Sequence, residues 1–335
     1  MPQDGEMTAY HAVRAGEPPA VSIIMPAYNA ARFISEALDS VVAQTFTDYE
    51  TIVVNDGSPD RDELERVLEP YRERIVYLTQ ENRGVSGARN TGIRRARAPL
   101  IAHLDPDDMW EPEYLAVQVE AIRRDPTIDV LYTDALVFGD MPEAGRRFME
   151  LCPSEGEVTF ESLVAQRCNV MTSILARRET IMRAGMFDES LRCSEDFDLW
   201  LRVVKGGGRI AYHRQPLVRY RRRRGSLSSD PVWVCENALR VLEKCERTMR
   251  LTDGESEALK GARARLHALL RFSEGKRAFS RGDTRAAIDG LKEANAFFGS
   301  RKTALVLFLL RFAPRLLRHA YEMRDRFIWR TNARF

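Results

Sequence analysis

From residue 21 onward the chain alternates short, nearly continuous apolar runs with helical patterns, and no other feature restricts its fold as much. "VSIIMP" (21–26), "YETIVVND" (49–56), "RIVYLTQ" (74–80) and "PLIAHLD" (99–105) read as strands. Between and after them, "ARFISEALDSVVAQ" (31–44), "DELERVLEPY" (62–71), "VSGARNTGIRRAR" (85–97) and "EPEYLAVQVEAIRRD" (111–125) read as helices. Strands that are apolar at successive positions must be covered on both faces, and helices between them serve as crossovers. The pattern therefore predicts an α/β fold with a mostly parallel central sheet flanked by helices. Tyr28-Asn29, Asp56-Gly57-Ser58 and Asp105-Pro106-Asp107 each follow a strand directly. That carboxyl edge is where open α/β sheets bind ligands.

Over 126–230 the pattern loosens, with a strand at 128–133, a polar stretch to about 155, "NVMTSILARR" (169–178), a helix from near 195, and strand and loop over "RIAYHRQPLVRYRRRRGSLS" (209–228). Beyond residue 231 the chain is almost wholly helical in pattern. There "GKRAFSRGDTRAAIDGLKEANAF" (275–297) sets small residues where two helices would cross, with Gly282-Asp283 as the turn. It resembles one tetratricopeptide unit; the three copies that a stacked array requires are not found. The expected division is an N-terminal extension (1–19), an α/β domain (20–230) and a helical region (231–335).

Charge is nearly balanced, 51 Lys and Arg against 49 Asp and Glu, which gives no reason to expect a nucleic-acid partner. Five cysteines without a CxxC pair point to reduced thiols. The N-terminus lacks a positive cap followed by an apolar stretch, so no secretory signal is expected. The longest apolar run near the C-terminus, Ala304 to Leu310, falls well short of the roughly 20 residues that span a bilayer. A cytoplasmic location is expected, with the inner membrane face as a surface it can visit.

Four stretches carry chemistry. In "VNDGSPD" (54–60) a strand ends in a tight turn, where Asp56 either shapes the turn or accepts a hydrogen bond from an imide-like base edge. In "ENRGVSGARNTG" (81–92) a glycine-softened helix start carries Arg89, either solvated or forked onto a phosphate. "LDPDD" (104–108) gathers Asp105, Asp107 and Asp108, which make either a wet acidic turn or, through residues i and i+2, Asp105 and Asp107, two hard oxygen donors for Mg²⁺ or Mn²⁺. In "CSEDFDLWLR" (193–202) acidic residues open a helix, where a carboxylate is favoured by the helix dipole alone; Asp196 can also serve as a general base. Trp200, one turn on, either packs in the core with its apolar neighbours or offers its ring to a ligand.

In order and spacing, "PAYN" (26–29), "EALDSVVAQT" (36–45), "VNDGSPD", "NRGVSGARNTG", "LDPDD" and "SEDFDLWLR" together resemble the family 2 glycosyltransferases over roughly residues 20–230. The resemblance implies a GT-A fold and an inverting, metal-dependent transfer from a nucleotide-diphosphate sugar, usually UDP-linked, in glycan, polysaccharide or glycolipid assembly. It implies that Pro26, Ala27, Tyr28 and Asn29 line the nucleotide pocket, with Glu36 supporting it from behind. Asp56 would bind the base, and Arg89 the nucleotide or its phosphates. Asp105 would reach the ribose or the metal, Asp107 would be the principal ligand for Mn²⁺ or Mg²⁺, and Asp196 the catalytic base.

One departure stands out. Relatives commonly carry Tyr-Arg-x-His before Gly-Ser-Leu-Ser, and that His can complete the metal site; "YRRRRGSLS" (220–228) has Arg223 there, and Arg cannot ligate a cation. Arg221 to Arg224 are then expected in a flexible loop that holds the diphosphate or an acidic acceptor, with His213 as an alternative metal ligand. The acceptor is expected to be a glycan, a lipid-linked group or a protein, and the oligomeric state is left open. In the tail (300–327), Leu305, Leu309, Phe312 and Leu316 fall near one helical face, Arg311, Arg315 and Arg318 on another, with a kink at Pro314. This segment either packs on the preceding helices or lies on an anionic membrane. The competing function classes are a non-catalytic nucleotide-sugar-binding module and a scaffold acting through the helical tail; Asp107 and Asp196 argue for an enzyme.

Overall fold

The computed structural model of the chain describes residues 10–11, 17–223, 225–226 and 229–317. These form two compact units: the residues up to Gly139 with Glu143–Arg222, and Asp140–Pro142 with the residues from Arg223 onward.

The first unit runs β1 (Tyr10–His11), β2 (Val21–Ala27), α1 (Ile34–Val42), β3 (Tyr49–Asp56), α2 (Arg61–Leu68), β4 (Ile75–Gln80), α3 (Gly84–Arg95), β5 (Leu100–His103), β6 (Met109–Trp110), α4 (Tyr114–Arg124), β7 (Val130–Gly139), α5 (Phe148–Leu151), α6 (Phe160–Val164), β8 (Ile174–Arg177), α7 (Arg178–Arg183), α8 (Glu195–Lys205) and β9 (Ile210–Arg222). The sheet order is β1-β4-β3-β2-β5-β8-β7-β9-β6. The β4, β3, β2 and β5 strands are mutually parallel, as continuous burial on both faces requires, and every residue of β2 is buried. Their carboxyl ends therefore share one edge. Beyond β5 the sheet is mixed, because β8 pairs antiparallel with both β5 and β7.

The expected strand at 128–133 runs on through Gly139 as β7. Asp134 breaks the apolar run in sequence but is 2% exposed, and its Oδ1 accepts from the Ala135 and Met149 backbone N–H groups at a register shift against β9. A buried, satisfied carboxylate thus reads as a loop residue in sequence while sitting inside a strand.

The second unit contains α9 (Pro231–Thr248), α10 (Asp253–Arg281), α11 (Thr284–Phe298) and α12 (Arg301–Phe312). The turn between α10 and α11 falls at Gly282, in the left-handed region at φ +90, with the Asp283 side chain capping α11. The two helices cross at Gly275 and Gly290; a Cβ on Gly290 would stand 2.8 Å from the Arg271 carbonyl oxygen. Gly290→Ala should therefore lower the unit's thermal midpoint by forcing the helices apart, at about 1–3 kcal/mol. Gly261→Ala, on α10 with open space around it, should instead raise stability by up to about 1 kcal/mol. Thermal melts of both variants check this, and a stabilised Gly290→Ala would remove the close crossing. No helix among the described residues is long and apolar enough to cross a membrane. Of the tail segment 300–327, residues 318–327, Arg318 included, lie outside the described residues, as do most of the extension 1–19.

Candidate active site

The loops that follow β2 and β3 are laced together. The Asn29 N–H donates to the Ser58 hydroxyl (2.6 Å), the Ala31 N–H to Asp60 (3.0 Å), and the Ser58 hydroxyl to Asp60. Pro26 and Ala27 are buried in β2, so they offer only backbone at the edge, whereas Tyr28 is 55% exposed and Asn29, at φ +52, turns the chain outward. Asp56 closes β3 and is 2% exposed. Its Oδ1 accepts from Gln80 Nε2 (2.7 Å) and the Arg83 N–H (2.8 Å), which fixes the carboxylate plane. Gly57 follows at φ +65, where a Cβ would lie 2.8 Å from the Asn82 nitrogen, so only glycine fits this turn.

The acidic turn after β5 is held from two sides. Asp105 sets Oδ1 against Arg89 Nη2 (2.8 Å) and Oδ2 against the Thr172 hydroxyl (3.1 Å). Burial pushes the Asp105 carboxyl up, but the Arg89 guanidinium outweighs it and brings the group below the ordinary value. Asp108 is 1% exposed; its Oδ1 accepts from the Arg221 N–H (2.8 Å) and its Oδ2 is buried with no partner. Burial, with the negative charges of Asp107 and Asp105, pushes the Asp108 carboxyl well above the usual range. Arg221 also donates Nε to the Asp107 carbonyl and Nη2 to Glu36, both at 2.8 Å, and its guanidinium stacks over Phe138 and Phe33.

At the third corner, α8 begins after Ser194, held at φ +59, a region costly for a residue with a Cβ. Arg89, 2% exposed, reaches across from α3: Nη1 donates to Glu195 Oε1 (2.6 Å) while Nη2 holds Asp105. Burial opposes its charge, but Asp105 and Glu195 keep it firmly protonated. Asp196 is next in the chain, and its Oδ1 accepts from the Phe197 N–H (2.7 Å). Burial, then the neighbouring Glu195 charge, pushes the Asp196 carboxyl up to about 7, against the pull of Arg89. A carboxyl poised there can exchange a proton near neutrality.

The structure thus brings Asp105, Arg89 and the start of α8 together and ties Asp107, Asp108 and Glu36 to Arg221, but it corrects several expected roles. Arg89 faces carboxylates rather than a ligand's phosphate, because both terminal nitrogens are engaged in a buried site. Asp105, expected at the ribose or the metal, has one oxygen on Arg89 and the other on Thr172, so its carboxylate is held in place from two sides. Arg221 sits in β9, not in a flexible loop, and clamps the acidic turn. Arg223 opens the second unit, and Arg224 lies outside the described residues. His213 lies on β9 eight residues before Arg221, roughly 26 Å along a strand, and bonds Gln118 (3.2 Å) instead. Trp200 is 2% exposed and packs in the core, so it presents no face to a sugar. Sequence reasoning gave no role to Asp108, Glu195 or Thr172. An aspartate beside two others is no signal by itself; only burial, an unpartnered oxygen or a contact across the fold distinguishes these residues.

The description "Glycosyl transferase family 2" matches residues 22–186. The chain is 32% identical over 228 residues to the uncharacterized glycosyltransferase EpsJ of Bacillus subtilis, covering 64% of each protein. The chain spans between 28% and 59% of the length of five Rickettsia relatives, themselves uncharacterized glycosyltransferases, and 64% of EpsJ. Among solved structures it is similar to the mannosyltransferase PcManGT from Pyrobaculum calidifontis in complex with GDP-Man and Mn²⁺, with a TM-score of 0.60 at 20% identity, covering 93% of this chain and 85% of that one. It is also similar to S. aureus TarS 1-349 in complex with UDP-GlcNAc, with a TM-score of 0.57 at 19% identity and 87% coverage of both. At such identities these structures speak to the fold.

Proposed function

Because this chain belongs to glycosyl transferase family 2 through residues 22–186, we propose that it transfers a sugar from a nucleotide-diphosphate donor, UDP-linked, to an acceptor hydroxyl with inversion at the anomeric carbon. The fold of the first unit is GT-A. One observation carries the reading: Arg89 bridges Asp105 (2.8 Å) and Glu195 (2.6 Å), which joins the donor edge of the sheet to the helix start that bears Asp196. The strand end that opens the acidic turn and the helix start beside Asp196 are then tied through one side chain.

The residues of this edge divide the work. Asp56, pinned through Oδ1, offers Oδ2 to the N–H of a uracil edge, and Tyr28 offers its exposed ring beside it. Asp196 takes the proton of the acceptor hydroxyl on Oδ2, the oxygen not engaged by Phe197. The freed oxygen attacks the anomeric carbon as the bond to the diphosphate oxygen breaks, so one displacement inverts the centre and no covalent sugar–enzyme intermediate forms.

The acidic turn fits a hard divalent cation. It holds several carboxylates, one with a buried oxygen that has no partner. Asp107 would hold Mn²⁺ or Mg²⁺, with Arg221 fixing the backbone of the turn. No group of three or more His, Cys, Asp or Glu is placed to bind a metal among the described residues, so diphosphate oxygens and water would supply the rest of the shell. The bound cation would neutralise charge growing on the leaving diphosphate. The acceptor is a hydroxyl on a glycan, a lipid-linked group or a protein.

A donor panel of UDP-, GDP- and dTDP-sugars with Mn²⁺ or Mg²⁺, scored by thermal shift and nucleotide release, tests this. UDP-sugar with metal should give the largest shift, and Asp107→Asn should lose most of the metal-dependent part of it. No shift with any donor would overturn the transferase reading.

A further inference from the structure

The α12 helix has apolar side chains on two sides, and only one of them is used. Leu310 is 1% exposed and packs with Ala287 and Leu291 of α11. On the other side Leu305 (60%), Phe308 (57%) and Phe312 (67%) stand open at helical spacing, and Leu316 (65%) is exposed just beyond. The Phe308 and Phe312 rings touch, with centroids 4.8 Å apart. A row of large open apolar side chains marks a contact surface.

The charge around this face selects what it contacts. From Ser300 to Leu317 the chain carries Arg301, Lys302, Arg311 and Arg315 and no acidic residue. Two copies meeting face to face would set these cations against one another, whereas a bilayer with anionic headgroups complements them. The twelve residues of α12 extend about 18 Å, too short to span a hydrocarbon core of about 30 Å, so the helix would lie in the interface.

We propose that the exposed face of α12 docks the protein on anionic lipid bilayers, with Leu305, Phe308 and Phe312 entering the interface and Arg301, Lys302, Arg311 and Arg315 meeting headgroups. This rests on the second unit alone and is independent of the donor reading.

The test is co-sedimentation of the full chain with vesicles of phosphatidylcholine alone or mixed with phosphatidylglycerol. The wild type should bind the anionic vesicles about tenfold more strongly, and added salt should weaken that binding. Phe308→Glu with Phe312→Glu should cut binding to anionic vesicles by at least about tenfold at unchanged circular dichroism, since both side chains are exposed. Arg311→Glu with Arg315→Glu should abolish the preference for anionic lipid while leaving the apolar face intact. Three results would overturn the proposal: no binding of the wild type to anionic vesicles, binding indifferent to the Phe pair, or a wild-type dimer that the Phe pair converts to monomer.

Discussion

Asp196→Asn is expected to reduce turnover by about a hundred- to ten-thousandfold while donor affinity stays near wild type. The amide keeps the shape and the bond from the Phe197 N–H but cannot accept the acceptor's proton. In the wild type, kcat/KM should climb as pH rises through about 7, because the protonated carboxyl is inactive and its carboxylate forms only above that value. Stability should move the other way. The folded pKa lies above the unfolded one, so the fold favours the protonated group, and its contribution is present at low pH and lost as pH rises toward about 7. Asp196→Asn carries no charge to desolvate beside Glu195, so at pH above 7 its denaturation midpoint should exceed that of the wild type, and the gap should close on acidification. Chemical denaturation at two pH values measures this. A variant with wild-type turnover would remove Asp196 as the base, and a gap that widens at low pH would contradict its raised pKa.

Arg89→Met should be the most destabilising single substitution in the first unit. It leaves Asp105 and Glu195 in a buried site with no counter-charge, and breaking a buried ion pair from one side costs about 3–5 kcal/mol. The sign against pH follows from Asp105, whose pKa lies below its ordinary value in the native state. Its pairing stabilises the fold above the unfolded carboxylate value and is lost as pH falls. The difference between wild type and variant should therefore be full at neutral pH and shrink in acid, where Asp105 protonates. Arg89→Lys should recover only part of the loss, because a point charge cannot fork to two carboxylates. In Arg89→Met the charge that pulls the Asp196 pKa down is gone, so its pH–rate profile should shift to higher pH than the wild type's, whereas Arg89→Lys, which keeps a charge, should shift less. Urea midpoints and pH–rate profiles of the two variants decide the matter; equal stability of Arg89→Met and wild type would sink the bridge.

The parallel half of the sheet was readable because β2, β3 and β5 are buried on both faces, and burial on both faces writes itself as consecutive apolar residues. The far half was less so: Asp134 sits buried inside β7 yet looks like a loop residue, and the reversal at β8 depends on which neighbour a short apolar strand finds. Gly275 and Gly290 were readable as small residues at a crossing, since a close helix approach excludes side chains whatever the partner.

At the site, the chain by itself determined which residue types stand at the strand ends: Asp56 after one apolar run, Asp105 and Asp107 after another, Asp196 at a helix start. It could not determine what each carboxylate faces. Arg89 and Glu195 are 106 positions apart, and Arg221 and Asp108 are 113 apart. Periodicity reports the direction of a side chain relative to its own element and carries nothing about a partner brought in from another. Only the tertiary structure could take Arg89 from an expected phosphate contact to a buried bridge, take Arg221 from a loop to a clamp, and single out Asp108. Pairing of a buried charge is a property of the whole packed fold, because desolvation makes each such group depend on what the rest of the chain places beside it.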